Sequence, residues 1–162
     1  MTVAQKNTIT LMISEHISNK EGTYSRTALR LGINNEPNIK QLRNMELLAD
    51  EIFEPLRSYA NGPIKINSFF RSPELNKAIG GSTKSQHCLG QAIDIDDTYG
   101  HLTNKEMFNF IKEHLDFDQM IWEFGNDDNP DWVHVSYVSP QENRNRCLKA
   151  YKHKGKTAYK II

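Results

Sequence analysis

Two short segments of alternating apolar and polar residues constrain the possible folds of this chain most strongly. In residues 92–96 two isoleucines alternate with two aspartates, and in residues 132–136 two valines flank a histidine. Such alternation is typical of half-buried β-strands, in which neighbouring side chains point to opposite faces of a sheet. One face of each predicted strand is therefore apolar, while the other carries Asp94 in the first strand and His134 in the second.

The rest of the pattern predicts an α+β fold, a single domain over residues 1–162 with a helical N-terminal part followed by a mainly antiparallel sheet. The longest predicted helix runs from Asn38 to about Tyr59, because apolar residues recur there every three or four positions. Pro55 should bend this helix or end it early. The other predicted elements are a strand at 64–70, a short helix starting at Ser72 and Pro73, a helix opened by a capping box at Thr103, strands at 119–124 and 132–138, and a last strand at 158–162.

The composition narrows the class of protein further. Lys and Arg together number 20, as do Asp and Glu, so the formal net charge is zero, which argues against a dedicated nucleic-acid binder. Two cysteines exclude a disulfide framework. The apolar stretch from Ile9 to Ile13 is too short for a signal peptide or a membrane span. We therefore expect a protein without a membrane span that is made in the cytoplasm without a signal peptide, or one whose leader has been removed, and we expect a monomer.

His87, Asp94 and His134 are candidate metal ligands. Gly90 follows His87 by three residues, so the backbone can turn sharply and bring this loop histidine to face the strand that carries Asp94. Two imidazoles and one carboxylate form a ligand set typical of catalytic zinc, with a fourth position left for water. Taken singly, either histidine would be interpreted as an ordinary loop or strand residue, and only the combination favours a metal site. A nucleophilic pair of Cys88 and His134 is a further alternative.

Several segments, in the same order along the chain, resemble one known family. They are Ser-x-His-x-x-Gly-x-Ala-x-Asp at 85–94, Trp-Val-His-Val-Ser at 132–136, Phe-Arg-Ser-Pro-Glu-Leu-Asn at 70–76, Gly-Gly-Ser at 80–82, Ile-Trp-Glu-Phe at 121–124, and the upstream segments 27–33 and 54–57. Together they resemble the zinc D-Ala-D-Ala carboxypeptidase family of metallopeptidases, with its hedgehog/DD-peptidase fold, over roughly residues 9–138. The resemblance implies that His87, Asp94 and His134 bind one zinc ion per chain.

The same resemblance implies two substrate-binding residues. Arg71 corresponds to the arginine that faces the substrate carbonyl or carboxylate, and a planar guanidinium suits either group. Ser85 corresponds to a serine beside the first zinc ligand that contacts the substrate. Considered alone, Arg71 would be interpreted as half of a surface salt bridge.

The general base has two candidates. Some branches of the family have a glutamate three residues before the last zinc histidine, and others have a histidine two residues before it. Those positions here are Asp131 and Trp132, and an indole cannot accept the proton. Glu123 lies between two aromatic residues of a predicted strand, where an apolar environment would raise its pKa towards neutrality. We predict that Glu123 is the base, with Asp131 as the alternative.

These residues predict a zinc-dependent metallopeptidase that hydrolyses D-alanine-containing peptides of bacterial peptidoglycan. It would cut a stem peptide or a crosslink, as a carboxypeptidase or an endopeptidase similar to phage lysins, and would act at the cell wall. The alternative is a non-catalytic zinc-containing binding module of the same fold that recognises a cell-wall polymer or a protein partner.

The C-terminal segment 144–162 is basic. It has seven Lys and Arg residues between positions 144 and 160 and no acidic residue. This pattern indicates either a solvated terminal segment or a patch attracted to anionic wall polymers or nucleic acid.

Overall fold

The N-terminal part of the protein is mainly helical, as predicted. The computed structural model describes residues 12–162, so most of the apolar stretch from Ile9 to Ile13 lies outside the described residues. A small antiparallel pair, β1 (Met12–Ser14) and β2 (Ile17–Ser18), comes first. The helices α1 (Asn19–Thr23), α2 (Arg26–Leu31) and α3 (Ile39–Leu48) follow it.

The long helix predicted from Asn38 is interrupted before its proline. A π-helical turn over Ala49–Phe53 separates α3 from α4 (Glu54–Ala60), and Pro55 lies in the first turn of α4. Proline has no N–H, and its ring clashes with the carbonyl four residues earlier in a regular α-helix. The wider π turn relieves that conflict, so the chain stays helical through Pro55 and ends only at Ala60.

A six-stranded sheet forms the rest of the domain and confirms the predicted α+β class. Its strands are β3 (Lys65–Ser68), β4 (Ala92–Asp96), β5 (Gln119–Glu123), β6 (Trp132–Ser136), β7 (Arg146–His153) and β8 (Lys156–Ile161). They lie in the order β3-β4-β6-β5-β7-β8, and every neighbouring pair is antiparallel except β5 and β7. The sequence missed β7, because its basic residues made the segment resemble a solvated tail.

Two short helices and one turn connect the strands. Ser72 caps α5 (Pro73–Ala78) by accepting a hydrogen bond from the N–H of Leu75, and Thr103 opens α6 (Asn104–His114) with the predicted capping box. A 3-10 turn over Gln86–Leu89 leads into β4. Among residues 12–162, no helix combines the length and the apolar character needed to cross a membrane.

The hydrophobic core lies between one face of the sheet and the helices. The alternating apolar residues of β4 and β6 are almost completely buried there, together with residues of α3, the π turn and α6; the central ones are Ile93, Ile95, Val133, Val135, Leu48, Ile52 and Ile111. Burial of this face determines which way each strand faces, because side chains alternate along a strand. The opposite face of β4 and β6 therefore presents Asp94 and His134.

Candidate metal centre

His87, Asp94 and His134 converge at one point on the face of the sheet opposite the helices. Asp94 and His134 are direct partners in the antiparallel register of β4 and β6. His134 Nδ1 lies 2.8 Å from Asp94 Oδ1, and His87 Nε2 lies 3.3 Å from Asp94 Oδ2. One potential ligand atom from each residue lies within 4.8 Å of the other two. The structure thus brings together all three residues that the sequence predicted as metal ligands.

His87 is oriented by backbone contacts. Its Nδ1–H donates a hydrogen bond to the carbonyl of Phe69, with an Nδ1–O distance of 2.7 Å, and its Nε2 faces Asp94. The turn that carries His87 ends at Gly90, whose φ is 72°. A Cβ at Gly90 would clash with the backbone carbonyl of Gln41, so both the conformation and the space there require glycine.

Asp94 is a carboxylate held between two imidazoles. Burial alone would raise its pKa, but the charge of His87 and the hydrogen bonds from His134 and His87 outweigh burial and hold the pKa well below its usual range. Zinc accepts a ligand set of two nitrogen donors and one charged oxygen donor. A histidine ligand of zinc usually donates its other ring N–H to a carbonyl or a carboxylate, as one histidine does here. The residues present therefore fit a zinc ion.

Glu123 lies on the same face of the sheet as the three candidate ligands. Ile121 is the direct partner of His134 in the register of β5 and β6, and Glu123 follows it by two residues, on the same side of the strand. The side chain is largely buried. Burial raises the pKa of Glu123 to about 7, and the negative charge of Asp94 adds to the rise while His134 opposes it.

Asp131 lies in a different environment. It lies one residue before β6. By strand alternation it is on the same face as Val133 and Val135, which face the helices. The residue is exposed, and its backbone N–H donates to the carbonyl of Glu123. This placement favours Glu123 over Asp131 as the carboxylate near the candidate metal centre.

Arg71 is tied to the first candidate ligand through the backbone. Its N–H donates to the carbonyl of His87, with an N–O distance of 3.2 Å. The guanidinium donates to Asn76 Oδ1 at 3.0 Å and to Ser68 Oγ at 3.5 Å, and Ser68 pairs with Asp94 in the register of β3 and β4. Arg71 thus lies beside the candidate ligands, and its contact with a substrate stays a prediction.

Ser85 supports the turn that carries His87. Its hydroxyl oxygen accepts a hydrogen bond from the N–H of His87, with an O–N distance of 3.3 Å, which makes it the cap of the 3-10 turn. The contact with a substrate that the resemblance implies for Ser85 stays a prediction.

Two buried polar residues that support the site had no role in the sequence analysis. Asn76 accepts from Arg71 and donates to the carbonyl of Ser82, so it fixes the guanidinium. Asp118 accepts from Gln86 and forms a two-bond ion pair with Arg144. The motif at 70–76 includes Asn76, but no local signal in the sequence points to Asp118.

Cys88 lacks the environment of a nucleophile. Burial raises the pKa of its thiol, and the nearby charge of Arg71 only partly offsets this effect. A reactive cysteine needs the opposite shift, because the thiolate is the attacking form. Among the described residues, no hydrogen bond joins Cys88 to His134, so the geometry disfavours the alternative of a Cys–His pair.

Fold and site together define a class: an α+β domain whose sheet carries a His–Asp–His cluster with a buried carboxylate on the same face, an arrangement suited to metal-assisted hydrolysis. The family model for Peptidase M15 matches residues 15–136, which is most of the chain. The chain therefore belongs to the peptidase M15 family, the zinc D-Ala-D-Ala carboxypeptidase-like metallopeptidases, and the resemblance found in the sequence is confirmed. The match ends with β6, so β7 and β8 lie beyond it. A search of curated proteins finds no match.

Proposed function

We propose that this metallopeptidase is zinc-dependent and hydrolyses D-alanine-containing peptides of bacterial peptidoglycan, in a stem peptide or a crosslink, and that it acts at the cell wall. The observation that carries the proposal is the convergence of His87, Asp94 and His134 with Glu123 on one face of the sheet. Membership of the peptidase M15 family supports the reaction class.

His87, Asp94 and His134 would hold one zinc ion per chain. A zinc ion at such a site supplies a Lewis acid that polarises a carbonyl and lowers the pKa of water. The protein prepares the site by keeping Asp94 charged and by directing Nε2 of His87 towards it. Both features favour the binding of a divalent cation by these residues.

Glu123 would act as the general base and then as the general acid. Its carboxylate accepts the proton of the attacking water and passes it to the leaving amine. A base is most effective when its pKa lies near the working pH, and the buried position of Glu123 provides such a pKa.

Arg71 would bind the substrate oxygen. Its guanidinium can donate two parallel hydrogen bonds to a C-terminal carboxylate or stabilise the oxyanion that develops from a carbonyl. The hydrogen bonds from Arg71 to Asn76 and Ser68 hold the group in place before substrate arrives. Ser85, two residues before His87, would offer a hydroxyl to the same substrate segment.

The test is digestion of isolated peptidoglycan and of stem peptides that end in D-Ala-D-Ala by the zinc-loaded protein. We expect cleavage that a chelator stops, and mass spectrometry should show either loss of one D-alanine or separated crosslinks. Arg71→Ala should lower the rate far more than the zinc content. If the zinc-loaded protein leaves all these substrates intact yet binds a wall polymer tightly, the protein is a binding module and the proposal is wrong.

A further inference from the structure

The hairpin β7–β8 extends the sheet beside the strand that carries Glu123. Glu123 pairs with Ala150 in the parallel register of β5 and β7, and Ala150 pairs with Tyr159 in the antiparallel register of β7 and β8. Paired residues of neighbouring strands share one face of a sheet, and strands lie about 4.8 Å apart. Glu123, Ala150 and Tyr159 thus form one row across three strands, with only a methyl group between the two larger side chains.

Tyr159 lies within electrostatic range of Glu123. The residue is 54% exposed, while Ala150 beside it is fully buried. Partial burial of the phenol, and then the negative charge of Glu123, raise the pKa of Tyr159. The row thus ends in an exposed tyrosine whose hydroxyl lies close enough to Glu123 for the charge of that carboxylate to affect it.

Phe124 is turned onto the same face by an unusual backbone conformation. Simple alternation after Glu123 would direct Phe124 towards the helices, but its φ of 54° is in the left-handed region, which bulky residues rarely adopt. The ring instead packs against Ile121, Leu148 and Ala150, and its centroid lies 5.6 Å from that of Trp132. Backbone strain of this kind is concentrated at functional sites.

Lys152 adds a cation to this surface. It follows Ala150 by two residues on β7, so it lies on the same face. Its Nζ lies 5.2 Å from the centre of the Phe124 ring and 3.1 Å from Thr157 Oγ1. The described residues give Lys152 no carboxylate partner, unlike Lys149 and Arg144 of the same segment, which pair with Asp127 and Asp118.

We propose that Tyr159, Phe124 and Lys152 form a substrate-binding surface next to Glu123, and that Tyr159 determines specificity for the peptide. This inference rests on the proposed function and deepens it. The occupant is a peptide segment with small apolar side chains and a free carboxylate distinct from the group that Arg71 would bind: the aromatic rings contact the apolar groups, and Lys152 pairs with this carboxylate. Tyr159 and Lys152 lie beyond the family match, which ends before β7, whereas Phe124 lies within it.

The test compares Tyr159→Ala with Tyr151→Ala. Tyr151 is a tyrosine of the same hairpin that lies on the opposite face, where Lys160 covers its ring, so it is a matched control. With a stem peptide as substrate, Tyr159→Ala should raise KM about tenfold and leave kcat, zinc content and melting temperature almost unchanged. Tyr151→Ala should leave all four quantities unchanged. Lys152→Gln should weaken binding of the peptide with a free carboxylate but not of the corresponding amide.

Binding is also measured by calorimetry in the Glu123→Gln background, so that affinity is read without turnover. If the wild-type protein cleaves the peptide while neither Tyr159→Ala nor Lys152→Gln changes KM or the dissociation constant, the inference is wrong and the proposed function stands. If the wild-type protein binds the peptide through Tyr159 without cleaving it, the inference stands and the proposed function is wrong. Absence of both binding and cleavage overturns both.

Discussion

At the scale of single residues, the choice between two carboxyl groups depends on strand alternation. Glu123 and Asp131 are linked by a backbone hydrogen bond, yet the two positions lie on opposite faces of the sheet. Glu123 shares the face of His134 and is largely buried, whereas Asp131 is exposed. A general base must reach the proton that it abstracts, so geometry decides before pKa.

We predict that Glu123→Gln keeps its zinc and loses on the order of a hundredfold or more in kcat, because the amide cannot accept the proton. Asp131→Asn is the matched control and should have a much smaller effect. Steady-state kinetics with metal analysis of both variants provides the check. The reverse ranking of the two variants would assign the base to Asp131.

At the scale of elements, Asp118 joins three segments that surround the candidate metal centre. It accepts hydrogen bonds from Gln86 in the turn that carries His87, from Ser136 at the end of β6, and from Arg144 just before β7. The side chain is almost completely buried. Burial opposes ionisation, but the bonds from Arg144 and Gln86 outweigh it and hold the pKa of Asp118 below its usual range.

This depressed pKa has a consequence for stability. A carboxyl group whose pKa is lower in the folded protein stabilises it above the unfolded pKa of about 3.9, and that contribution is lost as the pH falls through the folded pKa. Asp118→Asn should therefore lower the free energy of unfolding by about 2 kcal/mol at pH 7, and the difference from wild type should shrink below about pH 4.

Urea unfolding at a series of pH values measures both effects. Asp127→Asn is the control, because Asp127 pairs with Lys149 at a fully exposed position, and it should show no measurable change at any pH. A loss of stability for Asp118→Asn that is the same at pH 3 and pH 7 would contradict the ionic contribution.

At the scale of the whole molecule, the candidate metal centre joins three segments that are separate along the chain. His87 comes from the turn before β4, Asp94 from β4 and His134 from β6, and the helices pack on the other face of the sheet. A metal ion bound to all three residues stabilises the folded state, because the unfolded chain does not form the same site.

Removal of the metal should therefore lower the melting temperature. At a free zinc concentration of about 100 times Kd the stabilisation is about 2.7 kcal/mol, which corresponds to a shift of roughly 5 to 10 °C for a domain of this size. We expect about one zinc per chain in the wild-type protein and its loss in His87→Ala, whose melting temperature should not respond to a chelator. Calorimetry and elemental analysis provide the measurements.

A second group of possible ligands supplies the control for that experiment. Glu15, His16 and Glu54 also lie close together, but Glu54 is occupied by hydrogen bonds from Ser14 and His16. His16→Ala should leave the zinc content unchanged. Nearly full zinc content in His87→Ala, or its loss in His16→Ala, would show that the assigned ligands are wrong.

Local patterns in the sequence were sufficient to predict β4 and β6 and the candidate ligands. The alternation at 92–96 and 132–136 predicted two strands with Asp94 and His134 on their polar faces, because the side-chain period of a strand is two residues and one face must be buried. The helix caps at Ser72 and Thr103 could likewise be predicted, because a helix start depends on residues only three positions apart. The motif around His87 indicated the third candidate ligand and the family.

Only the tertiary structure decided what surrounds these residues. The register that places Asp94 opposite His134, the carbonyl of Phe69 that orients His87, and the pair of Asp118 and Arg144 all join positions far apart in the chain. The same holds for Tyr159, whose row with Glu123 depends on β7 inserting parallel to β5. A contact between distant positions is determined by how whole elements pack, and no window of neighbouring residues contains that information.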